Sequence, residues 1–82
     1  LGELAALRTL VLDIPSLDDR VAGELAGLTG LRELDLGGTQ ISDVGLKALA
    51  EMRGLKVLRL HHTRVTHRGL MHLAGLTQLE VL

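Results

Sequence analysis

Leucine returns every twenty-four residues along this chain, and no other property narrows its fold as far. Leu7, Leu31, Leu55 and Leu79 stand one period apart, and Leu10, Leu34, Leu58 and Leu82 repeat the spacing three residues later. Leu12, Leu36 and Leu60 take the sixth place of the same frame, and Leu17, Ile41 and Val65 the eleventh. The nineteenth place holds Leu1, Leu25, Leu49 and Leu73, and the twenty-second Leu4, Leu28, Met52 and Leu76. This divides the chain into a partial unit at 1–6, three full units at 7–30, 31–54 and 55–78, and a partial unit at 79–82. A fixed period of this length marks stacked repeats, in which each unit buries its apolar side only against its neighbours.

Inside each unit the short-range period changes. Glu33-Leu34-Asp35-Leu36-Gly37 alternates polar and apolar residues, as does a short strand with one buried face, and Thr9–Asp13 and Val57–His61 are its counterparts. A return segment of about nineteen residues separates successive strands, so they can pair only in parallel. Within that segment Leu46, Leu49 and Ala50 recur at helical spacing. Asp18, Ser42 and Thr66 stand just before it, and their side-chain oxygens suit the cap of a helix, an interaction worth about 1 kcal/mol each. Gly30 and Gly54 close two units and suit a tight turn into the next strand. Strands stack about 4.8 Å apart while helices prefer roughly 8–10 Å, so such a stack bends with its strands on the inside.

The pattern L-x-x-L-x-L-x-x-T-x-[IV]-[ST], whose leucine spacing runs through three consecutive units and whose last places are met in the second and third, resembles the leucine-rich repeat along the whole chain. The form T-x-I-S-D-x-G-L-x-x-L-A is similar to short helical units common in bacterial proteins of that family and to those attached to F-box ubiquitin-ligase adaptors. The resemblance implies an α/β solenoid, a right-handed β-α superhelix with a parallel sheet on its concave face, short helices on its convex face and protein binding as its use. Departures accompany the match. The family's usual Asn at the ninth place, which bonds adjacent turns, is replaced by Thr39 and Thr63 with fewer donors and acceptors, and by Pro15 with none. Val21-Ala22 replaces the Gly-Leu pair of the other units, so the first helix is expected to be the least regular.

Composition removes several classes of function. The chain has no Phe, Trp, Tyr or Cys, which leaves an aliphatic core and excludes disulfides and thiolate metal sites. Its apolar runs fall far short of the roughly 20 residues that span a bilayer, so no membrane partner is expected. Nucleic acid is not expected either, because stacking aromatics are missing and the excess of basic groups is confined to one unit. No nucleophile elbow or Gly-rich phosphate loop is present beyond Gly37-Gly38, so neither an enzyme nor a cofactor is expected. The chain begins at Leu1 without Met and carries no polar capping unit. It therefore reads as a piece of a longer array, or as a segment that self-associates end to end.

Charge drifts along the stack. The first unit is net −2 (Arg8 and Arg20 against Asp13, Asp18, Asp19 and Glu24), and the second is net −1. The third is net +4, with Lys56, Arg59, Arg64 and Arg68, no acid and all four histidines. His61 and His62 are adjacent, so their side chains are expected to diverge, and His67 and His72 lie roughly 140° apart around a helix. That spacing does not converge on a metal. Asp35 and Arg59 share a place on neighbouring strands and are read as a candidate ion pair. By family analogy the binding residues are Asp35, Arg59, His61 and Arg64 on the strand face, with Arg59 the best anchor because a guanidinium offers paired, oriented donors. A protein-binding scaffold is the leading reading, and a structural or self-assembling segment without a dedicated ligand site is the alternative.

Overall fold

The computed structural model describes residues 7–82. The partial unit read at 1–6 lies outside the described residues. Four short strands, β1 (Thr9–Val11), β2 (Glu33–Asp35), β3 (Val57–Arg59) and β4 (Glu80–Val81), form one parallel sheet in chain order. The helices are α1 (Ala22–Leu25), α2 (Asp43–Leu49) and α3 (His67–Leu70), each packed beside the next. An α/β repeat fold follows, with a leucine core between sheet and helices.

The core residues come from the same places in successive units. Leu34 and Leu58 point inward from the strands at 1% and 0% exposure, while their neighbours in sequence face the other way. Ile41, Leu46 and Leu49 close the second unit from the turn and helix, all at 0%. Strand register follows the period at the first two junctions, where Leu10 faces Leu34 and Leu34 faces Leu58. At the last junction it slips: Leu58 faces Val81, not Leu82. A slip of one residue exchanges the faces of a strand. Among the described residues nothing pairs with the outer edge of β4, and Val81 and Leu82 are 39% and 57% exposed, so no buried face enforces the period there.

All three predicted caps are in place. Asp18, Ser42 and Thr66 accept from the amides of Arg20, Val44 and Arg68. The helices behind them differ. α2 is continuous over seven residues, whereas the first unit opens as a 3-10 turn over Asp19–Val21 before α1, and the third ends as one over Met71–Leu73 after α3. The first helix is thus split, and the third is split as well, so the first is not alone in its irregularity.

Gly30 and Gly54 lie in the tight turns before β2 and β3, which the Leu31 and Leu55 amides close on the Leu28 and Met52 carbonyls at 3.1 and 3.0 Å. A left-handed conformation falls on Gly38 and His62, with φ of 77° and 56°. These two residues share the eighth place, just past the strand, where the chain turns back. Thr39 and Thr63 bond within their own turns: each hydroxyl donates to the carbonyl three residues earlier, Leu36 or Leu60, at 2.7 Å. Adjacent turns are joined instead by a carboxylate in the first turn of the preceding unit's helix.

Candidate functional site

The outward face of the sheet carries alternate strand residues, and three of the four predicted binding residues meet there. Asp35 and Arg59 are register partners on β2 and β3 and are half-buried. They line a hollow of about 180 Å³ together with Val11, Glu33 and Val57. A second hollow of about 170 Å³ adjoins it, lined by Val11, Leu12, Asp13, Asp35, Gly37 and His61. Val11 and Asp35 belong to both, so the two hollows form one strip across β1, β2 and β3.

The expected Asp35–Arg59 ion pair is not formed. Asp35 turns one oxygen to the amide of Gly37 at 2.9 Å, closing the chain's exit from β2. Among the described residues the ion pair present is Arg20–Asp18 at 3.0 Å, in the first unit. Among the described residues Arg59 has no carboxylate partner. His61 lies over Gly37, and a Cβ on that glycine would fall inside the imidazole ring. The glycine thus supplies the space that the histidine occupies. Contrary to the expected divergence, the His61 and His62 rings meet edge to face with centroids 5.7 Å apart. The left-handed backbone at His62 turns its side chain back toward its neighbour.

Arg64 stands apart from the other three. It is exposed, forms a parallel bridge with Ser42 and donates its amide to Ile41 at 2.9 Å. It borders a broad, open hollow of about 640 Å³ with Asp18, Asp19, Arg20, Gln40 and Ser42, on the side where the helices begin. The chain leaves the strand and turns before reaching Arg64, so similar unit positions do not share a face.

Two residues that sequence reasoning passed over organise that helix side. Asp19 Oδ1 accepts the amide of Ser42 at 2.8 Å, and its Oδ2 accepts the Ser42 hydroxyl. Asp43 repeats the arrangement on Thr66, at 2.7 and 2.6 Å. The hydrogen bonds from the Thr66 hydroxyl and amide hold the Asp43 carboxyl below the usual carboxylate range. Asp18 is lowered too, first by its bonds to Arg20, whose own pKa is raised in return. Gly45 and Gly69 seat these carboxylates, for a Cβ on either would fall on the Asp19 or Asp43 oxygen. The signal in the sequence is a cap residue followed by Asp, at Asp18-Asp19 and Ser42-Asp43, answered in the next unit by a glycine three residues past its cap, Gly45 or Gly69.

Among the described residues no group of three or more His, Asp or Glu side chains is placed to hold a metal ion, and no helix is long and apolar enough to cross a membrane.

Parallel strands in chain order, each followed by a helical return, define an α/β repeat fold. Residues 28–50 match the family model described as Leucine Rich repeat, which supports a leucine-rich repeat protein. Repeats of this family generally mediate protein–protein interaction and are generally non-enzymatic. No curated protein sequence matches the chain.

Proposed function

We propose that the chain is a non-enzymatic protein-binding module that engages its partner through the exposed sheet face. The observation that carries this reading is the strip of two adjoining hollows, where Arg59 has no carboxylate partner among the described residues, Asp35 is only partly engaged, His61 forms a wall and Val11 is 62% exposed. A partner that pairs with Arg59 and covers Val11 there gains charge-assisted hydrogen bonds and apolar burial together. Asp35, Arg59 and His61 are the contact residues of this reading, and Arg64 belongs to a separate surface.

The test compares Arg59→Glu with Arg53→Glu, an exposed arginine outside the strip. With a partner isolated on the wild-type chain, Arg59→Glu is expected to weaken binding at least tenfold and Arg53→Glu to leave it within twofold. Equal affinities for the two variants, both folded by circular dichroism, would remove the sheet face from consideration.

A second reading rests on the open edge of β4, with its exposed Val81 and Leu82. An uncovered parallel edge invites another chain, and end-to-end assembly is the corresponding function. Sedimentation velocity separates the two, since assembly raises the mass with concentration whereas a partner-binding module stays monomeric.

A further inference from the structure

The two internal junctions show what a stacked unit requires of its neighbour on the helix side. At each, the residue after the cap is an aspartate whose two oxygens accept two donors, an amide and a hydroxyl, from the next unit's cap residue. Asp19 serves Ser42, and Asp43 serves Thr66. The corresponding residue of the third unit is His67, and it is exposed.

The substitution reverses the hydrogen-bonding character of this place. A neutral imidazole offers one acceptor and one donor, and an imidazolium offers two donors and no acceptor. A Ser- or Thr-capped unit laid on the third would bring two donors to at most one acceptor, leaving a polar group unsatisfied in the junction. A carboxylate at the incoming cap place removes the conflict by accepting from His67. The charge of the third unit favours the same choice, since it contains Lys56, Arg59, Arg64 and Arg68 and no acid. The apolar contact is also available: Leu70 and Met71, on and just after α3, are 38% and 72% exposed. Asp18 in the first unit shows that a carboxylate can occupy the cap place, because it accepts the Arg20 amide at 3.1 Å.

We infer that the outer face of the third unit is a docking surface for a strand–helix unit carrying a carboxylate at its cap place, and not for a further Ser- or Thr-capped unit. This surface is separate from the sheet face, so it stands or falls independently of the reading above.

The experiment extends the full chain past Leu82 with a copy of residues 35–54, which completes a fourth unit in frame. Two extensions are made, one with the copied serine of the cap place retained and one with aspartate there. Each is combined with the wild-type His67, His67→Asp and His67→Ser, and thermal midpoints are measured for all six chains. With His67 intact, the acid-capped extension is expected to melt about 4 °C higher than the serine-capped one. His67→Asp is expected to reverse that order, and His67→Ser to abolish it. A serine-capped extension that is the more stable with His67 intact overturns the inference. So does an advantage of the acid cap that survives His67→Ser, because the preference then lies in the cap alone. Sedimentation of the unextended chain covers the case in which a second copy supplies the acid-capped unit. A dimer lost in both His67→Ser and Asp18→Ser supports the inference, and a dimer that covers α3 yet is indifferent to both overturns it.

Discussion

Leu46 and Leu70 occupy the same place in the second and third units, yet Leu46 is 0% exposed and Leu70 38%. The difference extends through both units. In the second, every core residue from Leu31 to Met52 lies at 2% or below; in the third, Leu60 and Leu76 rise to 9% and 8% and Val65 is only half-buried. Each unit contributes nearly the same leucines, so burial is set by how many neighbours a unit has and not by its own sequence. A repeat residue therefore has no fixed worth, and the same leucine stabilises more in the middle of the stack than at its end.

The sharpest way to break this comparison is to truncate both leucines. Leu46→Ala is expected to cost about 3–4 kcal/mol and Leu70→Ala about 1 kcal/mol, read from urea unfolding. Equal losses would show that the outer face of the third unit is as well packed in solution as the middle of the stack. A smaller contrast separates two helical glycines. Gly69→Ala drives a methyl group into Asp43, including its backbone, and is expected to cost about 1–3 kcal/mol. Gly23→Ala meets nothing within 4 Å and is expected to gain about 0.5–1 kcal/mol through helix propensity. If both substitutions stabilise, the carboxylate seat is not occupied.

The smallest effect concerns pH. Because the Asp43 carboxyl is lowered in the folded chain, its contribution is fully present above the unfolded carboxylate value, about 3.9, and is lost as pH falls through the lower folded value. Asp43→Asn is expected to weaken the chain slightly at pH 7 and to flatten the loss of stability on acidification below about pH 4. Thermal midpoints of the two chains measured from pH 6 to pH 3 check this, and parallel curves would sink it.

The features that sequence reading captured are those repeated in every unit. Leu34 and Leu58 were identified as inward-facing by alternation, and Asp18, Ser42 and Thr66 as caps by residue type and position, because each answers a local need of its own strand or helix. Features that depend on two units were harder to read. The Asp19–Ser42 and Asp43–Thr66 bonds join residues twenty-three apart, and their signal is a dipeptide that also reads as an ordinary helix start. Asp35 was paired with Arg59 on register alone, but the Gly37 amide lies two residues away along the chain and takes the carboxylate first. The slip of β4 had no signal, since it follows from the absence of a paired outer edge among the described residues rather than from any residue present. Family analogy groups Arg64 with the strand residues, and the turn between them carries it to another surface.

Strand order follows chain order from β1 to β4, with no strand inserted between two others. The consequence is mechanical. Pulling on the two ends of the described chain loads the outermost strands first, and each can peel from its neighbour without any loop passing through another. Under tension the stack is an unzipping ladder, expected to lengthen in unit-sized steps and to re-form in the reverse order when the load is removed.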